Sequence, residues 1–329
     1  WSLAFLPDGR MLVTERRGRL HLVTDGRSQR QPVDGLPGNI QAGGQGGLLE
    51  VVLHPNFARN RWIYLSYAGR GSGGVGTEVV RARFQEDRLT QVETIFRALP
   101  KSQSGRHFGS RIVLSTDGYL YITLGDRADP NSAQKLDDHR GSLIRLWPDG
   151  RVPDANPFVS ASGAKPEIFT YGNRNVQGIA IQPHSGFIWM HEHGPRGGDE
   201  LNIAQEGANY GWPLVSHGIN YDGSIISERP TRPDVEPPIY TWVPSIAPSG
   251  MTFYNSDAFP NWRDNLFVGA LRARLLVRLE LKGRTIIHEE RLLPGEIGRI
   301  RDVRQGPEGF IYLLNDSSAG GVFRLEPVN

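Results

Sequence analysis

Leu3-Ala4-Phe5-Leu6-Pro7-Asp8-Gly9-Arg10-Met11-Leu12-Val13 reads as a strand, a Pro-Asp-Gly turn and a second strand. The phrase returns along the chain. At Leu49 to Leu65 the turn lengthens to hold His54-Pro55-Asn56-Phe57 before Trp62-Ile63-Tyr64-Leu65. Ile112 to Ile122 repeats it around Thr116-Asp117-Gly118, and Gly178 to Trp189 around Pro183-His184-Ser185-Gly186. A fifth copy starts at Gly250-Met251-Thr252-Phe253-Tyr254 and reaches Asn265-Leu266-Phe267-Val268-Gly269 after an insertion. The sixth runs from Ile300 to Leu313 around Gly306-Pro307-Glu308-Gly309.

Six copies in 329 residues is about 55 residues per copy, a little above the ~40–50 of common propeller repeats. Each copy holds a hairpin and leaves room for two further strands; His21-Leu22-Val23-Thr24 and Val277-Arg278-Leu279-Glu280 read as such outer strands. A four-stranded sheet cannot bury both faces alone, and radial stacking of blades does so. The expectation is an all-β fold, a six-bladed β-propeller of four-stranded antiparallel blades, as one domain over residues 1–329. Helices should be few, because no long stretch carries a capped 3.6-residue period. Gly71 to Gly76 reads as a hairpin tip, Ala161 to Ala164 as a surface turn, and Ser216 to Pro238 as an inserted polar loop.

Composition narrows the function classes. Lys and Arg total 37 against 35 Asp and Glu, a net charge of +2 that gives no reason to expect nucleic acid or an anionic membrane. No apolar run approaches the ~20 residues of a spanning helix, so no membrane insertion is expected. The cysteine count is 0, which excludes disulfides, thiolate metal sites and cysteine nucleophiles. The chain begins mid-pattern at Trp1, as if a leader and a few mature residues were missing.

Five polar, glycine-rich segments fall outside the repeat phrase. Ala42-Gly43-Gly44-Gln45-Gly46-Gly47 lets backbone approach a ligand, with Gln45 as donor and acceptor, or is a turn between blades. Ser104 to Arg111 contains His107, a candidate general base or a structural loop histidine. Tyr171 to Gly178 brings Arg174 and Asn175 to the matching place in the next blade, suited to an anionic or carbonyl-rich ligand or to an inter-blade salt bridge. His191 to Asn202, followed by Asn209-Tyr210-Gly211-Trp212-Pro213, offers two histidines at zinc-like spacing without an evident third ligand. Calcium suits this segment better: Gly194 and Pro195 can supply carbonyls, and Asp199 or Glu200 carboxylates. Last, Leu271-Arg272-Ala273-Arg274 and Gly298-Arg299-Ile300-Arg301 can present guanidinium groups to an anion, or lie solvated on the surface.

In this order on a six-fold repeat, these segments resemble the soluble quinoprotein sugar dehydrogenases, and in particular bacterial PQQ-dependent aldose sugar dehydrogenases. The resemblance spans essentially the whole chain. Gly44 to Leu49, Arg174 to Gly178, His193 to Glu200 through Tyr210-Gly211-Trp212-Pro213, and Pro153-Asp154-Ala155-Asn156-Pro157-Phe158 carry it. It implies a PQQ ring across the propeller axis with Ca²⁺ on its quinone edge. His107 would be the base for the anomeric hydroxyl of an aldose, and Arg174 would stabilise charge on the quinone oxygen. Gln45, Asn175, Tyr221, Ala270, Leu271, Arg272, Arg299, Ile300 and Arg301 would hold PQQ. Gly194 and Pro195 would ligate its calcium, and Glu200 and Tyr210 a second, structural calcium. The product would be a lactone, with electrons passed to an external acceptor. The resemblance also implies a monomer that is periplasmic or secreted. Two departures bear on substrate preference: Arg106 stands where relatives place Asp or Asn before the histidine, and Arg272 where they often have Lys. An arginine close to His107 would also favour the neutral imidazole. Two other classes stay open, a calcium-dependent lactonase-like hydrolase and a non-enzymatic binding propeller with Trp212, Tyr240 and Trp242 on its contact face.

Overall fold

A computed structural model describes residues 1–328. The chain forms two compact units, Trp1–Asn175 and Val176–Asn329. The first holds three antiparallel sheets, each wound outward in chain order. They are Leu3–Phe5, Met11–Glu15, Arg19–Thr24 and Arg27–Ser28; then Leu48–Leu53, Trp62–Gly71, Gly74–Gln85 and Arg88–Arg97; then Ile112–Leu114, Leu120–Thr123, Leu143–Leu146 and Ile168–Thr170. The second unit holds Val176–Ile181, Ile188–Glu192, Asp199–Ile203 and Tyr240–Trp242; then Pro248–Phe253, Leu266–Ala270, Leu275–Lys282 and Thr285–Leu292; then Ile300–Gln305, Ile311–Asn315 and Val322–Leu325. These six sheets are the blades of a six-bladed β-propeller. Five have four strands, and the sixth has three among the described residues.

Each copy of the repeat phrase is the inner hairpin of one blade. The register Leu3↔Val13 and Ala4↔Leu12 closes the first around its Pro-Asp-Gly turn. His21 to Thr24 and Val277 to Glu280 lie in third strands, as expected. Among the described residues, helix is confined to Phe57–Asn60 and to short 3₁₀ turns at Pro130–Gln134 and Pro260–Trp262. Gly71 and Gly74 pair across the tip of the long hairpin in the second blade.

The middle blade of each unit is buried on both faces, and strand alternation divides its side chains. Ile63 and Leu65 pack with Leu12, Leu20 and Leu22 of the first blade, whereas Tyr64 between them packs with Ile112, Leu120 and Ile122 of the third. In the second unit Leu266 and Val268 join Trp189 and Leu201 of one neighbour, while Phe267 joins Ile300, Val303 and Ile311 of the other. Such strands read as continuous apolar runs because neither face meets water.

Three innermost strands share a further device that places a polar side chain, and a fourth slips between Pro248 and Met251. The register of the three slips near the start, between Leu48 and Val51, between Val176 and Gly178, and between Ile300 and Asp302. These bulges contain Glu50, Gln177 and Arg301. A bulge re-aims a side chain out of strict alternation. Here it brings polar groups together. The buried Glu50 carboxylate accepts Ser2 Oγ at 2.6 Å from the first blade and Arg111 Nη1 at 2.8 Å from the loop leading into the third. Arg111 in turn lies over the Trp1 ring, 4.1 Å from its centroid.

Glu50 therefore ties all three blades of the first unit. Glu50→Ala is expected to lower stability by about 3–5 kcal/mol, because it strands a buried arginine. Urea unfolding measures this, and a loss below about 1 kcal/mol would show that the pair is dispensable.

Candidate active site

In the first unit, His107 sits on the loop before Ile112–Leu114. The backbone there is left-handed at His107 (φ 53°), Gly109 (φ 61°) and Ser110 (φ 84°). Non-glycine residues in that region carry about 1–3 kcal/mol of strain and persist where the surroundings over-determine them. The surroundings do so here. Gln45 Oε1 accepts the His107 N–H at 2.7 Å, Asn175 Oδ1 accepts the Gly109 N–H at 3.1 Å, and Thr77 Oγ1 donates to the Phe108 carbonyl at 2.6 Å. Gln45 also donates its own N–H to the Gly105 carbonyl at 2.8 Å. Two glycines permit this closeness. A Cβ on Gly44 would lie 2.4 Å from the Gly105 carbonyl oxygen, and one on Gly125 would lie 2.4 Å from that of His107.

The imidazole is oriented by a residue the sequence reading passed over. His107 Nδ1 is 2.6 Å from Asp126 Oδ1, and the Asp126 side chain is 1% exposed. Because the carboxylate accepts, Nδ1 carries the proton, and in the neutral ring Nε2 is the lone-pair nitrogen. That tautomer is the one a base uses. Asp126 directly follows Gly125 at the end of a fully buried strand, Leu120–Thr123, and its N–H donates to the Arg174 carbonyl at 2.8 Å. A Gly-Asp pair leaving an apolar strand was the available signal; nothing in the sequence aimed it at residue 107.

One unit thus brings together Gln45, His107, Arg174 and Asn175. Arg174 is buried and Arg106 is exposed. Gln45 and Asn175 each use a side-chain oxygen to hold the histidine loop.

The second unit links Gly194, Leu271, Arg272 and Arg299 in one hydrogen-bonded chain. At its centre is Asp199, whose carboxylate accepts Gly194 N–H at 2.9 Å, Ile246 N–H at 2.8 Å, Ala247 N–H at 3.0 Å and the Ser245 hydroxyl. Burial pushes the Asp199 pKa up against these donors. Saturated in this way, Asp199 positions the Gly194-Pro195 turn and has little capacity left as a metal ligand. Leu271 and Arg272 donate their N–H groups to the carbonyls of Ala247 and Ile246, at 2.9 and 3.0 Å. Arg299 reaches the Leu271 carbonyl at 3.4 Å and pairs with Asp316 at 3.1 Å. Arg301 donates to Gln177 at 3.1 Å, joining two of the bulge residues. Ala270 and Ile300 are fully buried in the core, so they offer a ligand only main-chain atoms. Tyr221 stands 69% exposed on the inserted loop, outside this chain of contacts.

Glu200 points to the opposite face of its strand from Asp199. Burial and the nearby Glu192 carboxylate together push its pKa well above the usual range. Tyr210 donates its hydroxyl to the Ile203 carbonyl at 2.6 Å. Of the two histidines at zinc-like spacing, His193 Nε2 is engaged with the Pro248 carbonyl at 2.6 Å, and the His191 ring packs where a Cβ on Gly178 would fall.

The profile of glucose/sorbosone dehydrogenases matches residues 1–324. The chain belongs to the glucose/sorbosone dehydrogenase family. It is 46% identical to the aldose sugar dehydrogenase YliI of Escherichia coli strain K12, over 100% of this chain and 90% of that one. A crystal structure of the soluble aldose sugar dehydrogenase from Escherichia coli in the apo-form superposes with TM-score 0.96 at 45% identity, covering 100% of this chain and 96% of that one. The PQQ-bound form of aldose sugar dehydrogenase from Streptomyces coelicolor superposes with TM-score 0.80 at 27% identity, covering 99% and 93%. This member of the family thus holds Gln45, His107, Arg174 and Asn175 together in one unit, and Gly194, Leu271, Arg272 and Arg299 around Asp199 in the other.

Asp199→Ala removes the carboxylate that the Gly194, Ile246 and Ala247 N–H groups share. It is expected to lower stability by about 3 kcal/mol and to speed amide exchange at those three positions. Unchanged exchange would show that the turn holds itself.

Proposed function

We propose that this chain is a PQQ- and calcium-dependent aldose sugar dehydrogenase, which oxidises C1 of the sugar to a lactone and passes electrons to an external acceptor. The observation that carries the reading is the buried His107–Asp126 pair, 2.6 Å apart, in a member of this family. Oxidation of a hemiacetal needs a base for the anomeric proton, and a neutral imidazole with Nε2 as its lone-pair nitrogen is such a base. Asp126 holds the ring and stabilises the imidazolium once the proton arrives. Arg174 supplies a guanidinium for charge developing on the acceptor side.

PQQ, when bound, supplies the quinone that accepts the hydride, with calcium as Lewis acid on it. The residues present fit these groups. In the second unit Arg272, Arg299 and Arg301 are suited to carboxylates, with Leu271, Ala270 and Ile300 offering main-chain atoms; in the first unit Gln45 offers an amide donor, and Asn175, which holds the histidine loop, belongs to the same proposal. Tyr221, exposed on its loop, is proposed as a further cofactor contact. Among the described residues no three His, Asp or Glu side chains converge as a metal site. Calcium would therefore rest on carbonyl oxygens, those of Gly194 and Pro195 at the quinone and that of Tyr210 beside Glu200. The raised Glu200 pKa beside Glu192 fits the second ion, because a divalent cation would relieve that repulsion. A monomeric state and a periplasmic or secreted location belong to the same proposal, and family membership supports them.

The test is a titration of metal-stripped protein with PQQ, with and without Ca²⁺, followed by glucose, watching the quinone absorbance. Calcium-dependent binding and sugar-driven bleaching are expected; no PQQ binding would overturn the reading. His107→Ala should bind PQQ and lose bleaching. Asp126→Asn should slow it by roughly 10²–10⁴-fold, as loss of the correct tautomer does. Calcium should also raise the melting temperature of the apoprotein, and Glu200→Gln should reduce that rise. An equal rise in the variant would place the structural ion elsewhere.

A further inference from the structure

We propose that Arg127 is a positioning residue for His107: its guanidinium grips the loop on both sides of the histidine, so that Nε2 is presented in a single orientation. The proposal rests on the dehydrogenase reading for what His107 does, and assigns a role to a side chain outside every motif considered above.

Arg127 directly follows Asp126, and it is 4% exposed. Its Nη1 donates to the Arg106 carbonyl and its Nη2 to the Ser104 carbonyl. The guanidinium carbon lies over the Phe108 ring, 3.4 Å from its centroid. Residues 104, 106 and 108 are therefore all held by one side chain, and 107 lies among them. Asp126 holds the imidazole at Nδ1. Between them, two consecutive residues fix both the place of the loop and the rotation of the ring.

Both sides of this grip are conformationally unusual. Arg127 and Ala128 are left-handed, at φ 57° and 60°, facing the left-handed His107. Asp126 Oδ1 also accepts the Ala128 N–H at 2.7 Å, which closes the turn beneath the arginine. A planar fork reaches two carbonyls and stacks on a ring at the same time, which an ammonium cannot do. Burial depresses the Arg127 pKa to about 10, which still leaves it positive at neutral pH. The hydrogen bonds of this buried cation go to loop carbonyls, so its charge serves the histidine loop directly.

Arg127→Met removes the fork and keeps an apolar stem; Arg127→Lys keeps the charge without the fork. The first readout needs no cofactor. In the apoprotein the His107 Nδ1 proton, bonded to Asp126, should give a downfield NMR signal that is absent in His107→Ala. Arg127→Met is expected to broaden or lose it through faster solvent exchange. With PQQ and Ca²⁺, turnover should fall about 100-fold, the scale of a 1 Å misplacement, while the sugar KM changes by less than about threefold. Arg127→Lys should fall between the two on both readouts. Persistence of the signal with wild-type exchange in Arg127→Met overturns the proposal. Should that variant not fold, Arg127→Lys is read by the same criterion. Failure of the wild type to oxidise any aldose would overturn the dehydrogenase reading, and the NMR comparison would still decide whether Arg127 holds His107.

Discussion

Innermost strands of a propeller must bury their sides against neighbouring blades and still carry polar side chains toward their neighbours. Regular alternation cannot do both. The bulges at Glu50, Gln177 and Arg301 resolve the conflict, because one extra residue re-aims a side chain without shifting the apolar pattern that follows. Val51, Gly178 and Asp302 then resume the ladder. The groups so released find each other: Glu50 with Ser2 and Arg111, and Gln177 with Arg301. Burial makes these contacts obligatory, since an unpaired charge in such a place is strongly destabilising.

The same economy governs the two candidate sets. In each, one buried carboxylate organises the backbone. Asp126 orients an imidazole and closes its own turn, and Asp199 gathers three N–H groups and a hydroxyl around the Gly194 turn. Asp199 opens a strand and Asp126 follows one by three residues, and the residues they position lie on loops. Left-handed backbone at His107, Ser110, Arg127, Ala128 and Ala247 clusters around these two acids. Strain of this kind is tolerated only where many contacts converge, and pre-organised groups lose little on binding a ligand or reaching a transition state.

Much of this was legible in the chain. The strand–turn–strand phrase recurs with its apolar pattern and turn residues intact, so the inner hairpins and the blade count follow from local chemistry alone. The polar segments also announced themselves, because glycine-rich stretches between apolar strands have few structural uses. Asp126 and Arg127 were harder. Thr123-Leu124-Gly125-Asp126-Arg127 reads as an ordinary strand exit, and the partners of these two residues lie some twenty positions upstream. Asp199 was legible as an acid but not in its role: its four donors come from Gly194 and from the 245–247 turn of the next blade.

What the sequence by itself determined is therefore periodicity: which segments pair into hairpins, how many blades form, and which loops are chemically unusual. Those properties arise from residues near one another in the chain, through alternation and turn geometry. Only the tertiary structure decided which acid faces His107, that the oxygens of Gln45 and Asn175 are spent on holding its loop, and that Ile300 offers no side chain to a ligand. These depend on bulges and left-handed turns that rotate single side chains, and on contacts between blades far apart in the chain. A pattern of residue types carries no record of such rotations.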